Sequence, residues 1–231
     1  MSSLAAILPA AGLSTRFGRR RNKLLEDLGG QSVICRSIEA FASRDDCGLI
    51  VVATGFSPQD VPCLGQKRVT LCPGGTCRAE SVQRALECVP ETIEWVAVHD
   101  AARPLVSQEL IDRVLGAAQR SGAAGPAQPV HLTIKESDTR LPSTTCRTLP
   151  RGRLWAMQTP QIMRRADLMT AFEKCPIPLS EVTDDLQLME LAGFPICLIP
   201  GEDDNIKITT PMDLAIARTI FTGRQTTPDL S

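Results

Sequence analysis

Two rhythms of apolar residues alternate along the chain. Short, nearly unbroken apolar runs fall at residues 4–9 (LAAILP), 49–53 (LIVVA), 68–72, 95–98, 123–130 and 196–200. Their length and β-branched content predict buried strands. Between them lie segments with apolar residues three and four apart. In residues 32–42 these are Val33, Ile34, Ile38 and Phe41. In residues 107–119 they are Leu110, Val114, Leu115 and Ala118, with Ser107 placed as an N-cap. Helices are also predicted over 78–88, 165–174, 184–192 and 211–221, the last with Pro211 in its first turn. Strands separated by helices of this length pair in parallel. The predicted class is therefore α/β with a doubly wound, mostly parallel sheet.

The rhythm breaks at residues 131–150. This stretch, HLTIKESDTRLPSTTCRTLP, is polar, with β-like pieces at 132–135 and 144–149 around a turn-rich centre. So short a ribbon cannot bury its own faces. Residues 131–150 are expected to form a β-hairpin arm that packs on a partner subunit, giving a homodimer. Residues 1–231 are expected to form one domain, with a polar, frayed tail at 222–231.

Composition narrows the function classes. Hydrophobic residues make up 43% and charged residues 22%, with a net charge of -1, so no global field favours nucleic acid or a membrane surface. Aromatics are only 3% and tyrosine is absent, which argues against a base-stacking surface. Trp155 reads as a packing residue. No apolar run is long enough to span a bilayer, and the N-terminus predicts no signal peptide. The nine cysteines are scattered without a C-x-x-C pair. That pattern predicts neither a zinc site nor a disulfide framework, but reduced thiols in a cytoplasmic protein.

The candidate chemistry sits where strands end. Residues 9–18 read PAAGLSTRFG, with Lys23 following. Pro9, Ala10, Ala11 and Gly12 leave room for a ligand against the backbone, and successive loop N–H groups can form an anion nest. Arg16 and Lys23 are spaced to reach a triphosphate from one side. The alternative is a solvated basic loop, to which Arg19, Arg20 and Arg21 add charge. Neither a Walker A loop nor G-x-G-x-x-G is present, which removes the usual NTPase and dehydrogenase readings. Residues 73–82, PGGTCRAESV, again end a strand in glycines: Gly74 and Gly75 either pass close to a base or simply turn, and Ser81 can bond a base or ribose. Residues 98–104, VHDAARP, place Asp100, Ala101 and Arg103 at a strand end. Asp100 suits magnesium or a hydroxyl, or is a turn carboxylate; His99 reads as structural. Thr133, Lys135, Arg151, Thr159, Thr183, Asp184 and Lys207 are scattered cations, hydroxyls and one carboxylate that together suit an anionic second substrate.

The ordered set P-A-A-G-x-x-x-R with Lys23, G-G-x-x-R-x-x-S-V, H-D-A-A-R-P, T-x-K, L-W-x-x-Q-T-P-Q, T-D-D and D-N-I-K-I-T resembles the 2-C-methyl-D-erythritol 4-phosphate cytidylyltransferase (IspD) family over about residues 4–221. The resemblance implies a Rossmann-like nucleotidyltransferase that moves CMP from CTP to 2-C-methyl-D-erythritol 4-phosphate, releasing pyrophosphate, with Mg2+ or another divalent cation. By position it implies that Arg16, Lys23, Arg151 and Lys207 are catalytic. It implies that Pro9, Ala10, Ala11, Gly12, Gly74, Gly75, Ser81, Asp100 and Ala101 bind the nucleotide. Asp100, Arg103, Thr133, Arg151, Thr159 and Lys207 would bind the acceptor, with Arg151 lent across the dimer. No metal ligand is implied with certainty; the ion would be held mainly by CTP, with Asp100 as a possible contact. The sequence departs from the family at Asn22–Leu24, Phe17, His131, Leu132 and Thr76. The rival readings are a ribitol-5-phosphate cytidylyltransferase and a non-catalytic nucleotide-binding regulator.

Overall fold

Alternation along the first strand shows how the sheet is buried. Leu4, Ala6 and Leu8 join one core, and Ala5 and Ile7 join the other. Both faces are apolar because helices cover both. The computed structural model describes residues 4–12, 14–18, 22–142, 144 and 146–226. The basic run Arg19–Arg21 and the tail beyond residue 226 lie outside the described residues.

The strands are β1 (Leu4–Pro9), β2 (Asp27–Leu28), β3 (Gln31–Ser32), β4 (Cys47–Ala53), β5 (Val69–Cys72), β6 (Trp95–Val98), β7 (Ala123–Pro129), β8 (Lys135–Ser137), β9 (Cys146–Thr148), β10 (Trp155–Met157), β11 (Gln161–Arg164) and β12 (Cys197–Pro200). The helices are α1 (Val33–Ala42), α2 (Arg78–Glu87), α3 (Gln108–Ser121), α4 (Arg165–Glu173), α5 (Asp185–Leu191) and α6 (Pro211–Thr226). The main sheet has eight strands in the order β10-β7-β11-β6-β1-β4-β5, with β12 paired to β7. Only β10 and β11 run against the rest, so the sheet is mostly parallel, as the pattern predicts. Apolar residues of α1, α3 and α6 pack in one core, and those of α2, α4 and α5 in the other. The order β5-β4-β1-β6 reverses direction at β1. A crevice therefore opens over the carboxyl ends of β1 and β6, where such sheets bind ligands.

Ser107 caps its helix as predicted, and two further helices start on side-chain caps of the same kind. Ser32 Oγ accepts from Cys35 N–H, Ser107 Oγ from Leu110 N–H, and Asp184 from Gln187 N–H.

Five expectations need correction. Strands β10 and β11 were missed: each is only three or four residues long, and Gln158, Thr159, Gln161 and Arg164 in and between them break the apolar run that marks a strand as short as β6. The arm forms as a two-stranded ribbon whose second strand, β9, falls within the expected 144–149, but whose first, β8, begins at Lys135 where the expected 132–135 ends. Leu132 lies before the ribbon and is 77% exposed. Trp155, read as a packing residue, is half exposed on β10. Helix α6 runs through Thr226 instead of ending at residue 221, because Arg224 pairs with Asp204 and donates to the Leu105 carbonyl. Finally, Cys35 on α1 and Cys63 in the Pro62–Gly65 turn form a disulfide, with Cα atoms 5.7 Å apart. Their separation of 28 residues gave no sign that the fold brings them together; the other seven cysteines are free.

Candidate active site

The carboxyl ends of β1, β5 and β6 enclose a cleft of about 640 Å³. Its floor is the small-residue run Pro9–Gly12. One wall carries Arg16 and Lys23, the opposite wall Gly75, Thr76 and Arg78, and the far end Asp100, Ala101 and Lys207. A second pocket of about 240 Å³ adjoins it, lined by Arg103, Gln158, Thr159, Gln161, Thr183 and Asp184. Arg78, Asp100 and Lys207 line both, so the two cavities meet at one carboxylate and two cations.

The meeting point is built on Asp100, whose side chain is 10% exposed. Lys207 Nζ lies 2.7 Å from Oδ2, Arg78 Nε 3.2 Å from Oδ1, and Arg103 Nε 3.8 Å from Oδ2. Burial alone raises a carboxyl pKa. Here Arg78, Lys207 and Arg103 outweigh it and hold Asp100 well below the ordinary carboxylate range. Arg78 reaches onward to Asp185 Oδ2 at 2.8 Å, tying α2 to α5. Lys207 is brought in by the extended segment after β12, where Ile208 N–H donates to the Ala102 carbonyl at 2.8 Å.

Behind Asp100 runs a hydrogen-bond chain with a fixed direction. His99 is fully buried, and burial lowers it to about 4, so its ring is neutral at pH 7. Nε2 sits 3.0 Å from the Arg103 carbonyl, which only accepts, so Nε2 carries the hydrogen. Nδ1 must then accept from the Thr159 hydroxyl at 3.1 Å. Thr159 Oγ1 in turn accepts from the Asp100 N–H at 3.0 Å. The Thr159 hydrogen is thus committed inward, and its part is to orient Asp100. Arg103 is likewise engaged: Nη1 donates to the Asn205 carbonyl and Nη2 to the Met157 carbonyl.

Lys23 lies near enough to Lys207 and Arg16 to feel both. Burial first, then Lys207, with Arg16 adding, push its ammonium below the ordinary value, while Asp100 pulls the other way. Two ammonium groups and a guanidinium that repel one another line a cleft with a single facing carboxylate. Such a cleft gains most by admitting an anion. Asp100 has cationic side chains on both oxygens, and among the described residues no group of three or more His, Cys, Asp or Glu could hold a metal ion. A divalent ion held directly by the chain does not fit this arrangement.

Most of the predicted site residues converge, and two do not. Pro9, Ala10, Ala11, Gly12, Arg16, Lys23, Gly75, Asp100, Ala101 and Lys207 line the larger cavity. Arg103, Thr159, Asp100 and Lys207 line the smaller. Gly74 and Ser81 stand just behind the wall. Ser81 Oγ accepts from Gly75 N–H at 2.9 Å, and a side chain on Gly74 would lie 2.1 Å from Ala11 Cβ. Thr133 and Arg151 sit in and beside the arm, exposed and in neither cavity, with Arg151 donating to the His131 carbonyl. Sequence reasoning missed Arg78 and Asp185. The x-R-x spacing before Ser81 carried Arg78, but nothing marked Asp185 as its partner.

A family-level sequence description, "IspD: 2-C-methyl-D-erythritol 4-phosphate cytidylyltransferase", matches residues 4–223. The protein of that name from Microcystis aeruginosa is 37% identical, over 94% of this chain and 98% of its own length. The bifunctional IspD/IspF enzyme of Desulfotalea psychrophila is 39% identical over 94% of this chain. This chain spans only 56% and 57% of the length of that enzyme and its Anaeromyxobacter counterpart. Among solved structures, the Francisella tularensis enzyme superposes with a TM-score of 0.82 at 31% identity, covering 94% of this chain and 99% of its own. The Thermus thermophilus enzyme gives 0.78 at 34%, covering 94% and 98%. With the nucleotide-sized cleft, the adjoining pocket and these likenesses in view, the chain belongs to the 2-C-methyl-D-erythritol 4-phosphate cytidylyltransferase family.

Proposed function

We propose that this protein transfers CMP from CTP to the phosphate of 2-C-methyl-D-erythritol 4-phosphate. The observation that carries this is the shared boundary of the two cavities at Arg78, Asp100 and Lys207. One cavity suits a nucleoside triphosphate, the other a small polyol phosphate, and their reacting ends meet among cations.

In this reading an oxygen of the acceptor phosphate forms a bond to the α-phosphorus of CTP, and the bond from that phosphorus to the bridging oxygen of pyrophosphate breaks. The nucleophile is already an anion, so no general base is required. Catalysis is positioning plus neutralisation of charge. Arg16 and Lys23 attend the triphosphate from the loop side. Lys207 stands at the boundary, where it can neutralise the acceptor, and Asp100 holds it there. A divalent cation would enter on the phosphates of CTP rather than on a site of the chain. The arm is proposed to cross to a second copy, so that Thr133 and Arg151 complete the neighbouring acceptor pocket; that neither lines a cavity of its own chain supports this. Among the described residues no helix is long and apolar enough to cross a membrane, and we place the reaction in the cytoplasm.

The test is pyrophosphate release with CTP, ATP, GTP and UTP, each offered methylerythritol phosphate, ribitol 5-phosphate or no acceptor. Release confined to CTP with methylerythritol phosphate is expected. Preference for ribitol 5-phosphate would reassign the acceptor, and CTP binding with no release under any condition would leave a regulator.

A further inference from the structure

The turn Gly74–Gly75–Thr76 is held from behind by two α2 side chains that take no part in the scheme above. Glu80 Oε2 accepts both the N–H and the hydroxyl of Thr76, each at 2.6 Å. Arg84 braces that carboxylate through Oε1 at 2.5 Å and donates a second N–H to the Gly74 carbonyl at 2.7 Å. The Thr76 bonds, with Arg84, lower the Glu80 carboxyl to about 2, so the clamp is charged across the physiological range.

Close approach makes the clamp possible. A Cβ on Gly75 would lie 2.5 Å from Glu80 Cβ and 2.6 Å from its Cγ, so the Glu80 side chain crosses directly over this glycine. On the other side Gly74 rests on Ala11. The turn is therefore wedged between the floor of the cleft and Glu80. Two of its backbone donors and one carbonyl are spoken for: Gly75 N–H by Ser81, Thr76 N–H by Glu80, the Gly74 carbonyl by Arg84. No hydrogen bond among the described residues engages the Gly75 carbonyl, and Gly75 lines the cleft. Such an acceptor suits the 4-amino group of cytosine. Uracil places an oxygen at that position, and two acceptors facing each other in a dry site are unfavourable.

We propose that Glu80, braced by Arg84, is a positioning residue for nucleotide choice: it fixes the turn whose free carbonyl separates cytosine from uracil. The proposal rests on the functional reading above, in that it takes this turn as the base-facing wall.

The experiment measures kcat and KM for CTP and UTP in wild type, Glu80→Ala, Glu80→Gln and Arg84→Ala, with calorimetric affinities for both nucleotides. Opening one or two hydrogen bonds of a positioning network should raise the KM for CTP about tenfold in Glu80→Ala. The kcat should stay within about threefold, and the CTP-to-UTP ratio of kcat/KM should fall by about the same tenfold. Glu80→Gln keeps an acceptor for Thr76 and should recover part of the loss; Arg84→Ala should move in the same direction as Glu80→Ala. An unchanged CTP-to-UTP ratio in Glu80→Ala would overturn the proposal, as would a drop in kcat at constant KM. If the wild type shows no turnover, the functional reading fails. The calorimetric CTP-to-UTP preference, lost or kept in Glu80→Ala, then still decides the inference.

Discussion

Asp100 carries a charge that burial disfavours, and it keeps that charge only because its neighbours are committed to it. Arg78, Lys207 and Arg103 face its oxygens, and Thr159, whose hydroxyl is oriented by the neutral His99 ring, accepts its backbone N–H. The histidine has a consequence for stability. Its folded value is about 4, against an ordinary value near 6.5. Between those values the unfolded chain takes up a proton that the folded chain refuses. Stability from this group is therefore complete above about pH 6.5 and is lost as pH falls toward 4, by about 2 kcal/mol at pH 5. Denaturant unfolding at pH 7.5 and pH 5 should show the wild type losing more stability than His99→Gln. Equal losses would mean that His99 is not the buried neutral group described. The sequence pointed to His99 as structural and to Asp100 as a strand-end carboxylate. It did not show that Asp185 backs Arg78, because a buried ion pair between residues 107 positions apart leaves no local pattern.

Elements set how closely the walls of the cleft approach. The strand-to-helix turns after β1 and β5 touch where Gly74 meets Ala11, and a methyl group on Gly74 would sit 2.1 Å from the Ala11 methyl. Neither backbone can yield without opening the cleft. Gly74→Ala should raise the KM for CTP by an order of magnitude or more, roughly the penalty of overpacking by one methyl. The pair Gly74→Ala with Ala11→Gly should restore much of it. Absence of rescue in the double variant, measured by CTP titration, would show that the contact is not what limits binding. Helices α1 and α3 were legible because their periods repeat, and β1 and β6 because their apolar runs are unbroken; all four fall within two residues of expectation. Strands β10 and β11 were not, since Gln158, Thr159, Gln161 and Arg164 interrupt the apolar run. The antiparallel insertion of β11 between β6 and β7 is a tertiary choice. The helical stretch beyond residue 221 was likewise set by a distant partner, Asp204, rather than by local polarity.

At the scale of the whole molecule, Thr133 stands just before the arm's ribbon and Arg151 just after it, and neither lines a cavity of the same chain. If a second copy receives them, each active site draws on two subunits. Lys23→Ala and Arg151→Ala subunits, inactive apart, should then regain about a quarter of wild-type activity when co-folded in equal amounts. Half the dimers are mixed, and each mixed dimer holds one intact site. No recovery on mixing would place Arg151 in its own chain's chemistry or in none. The doubly wound sheet and the convergence of Arg16, Lys23 and Lys207 were both open to sequence reasoning, because ligand loops follow strand ends in such sheets. The Cys35–Cys63 bond was not, since spacing alone cannot tell which distant cysteines become neighbours. The central claim is that repelling cations in one cleft accelerate attack of one anion on another, and steady-state pyrophosphate release from CTP and methylerythritol phosphate tests it most directly. Lys23→Ala, with circular dichroism and thermal midpoint unchanged, should lose roughly two to four orders of magnitude in kcat; turnover near that of the wild type would contradict the account.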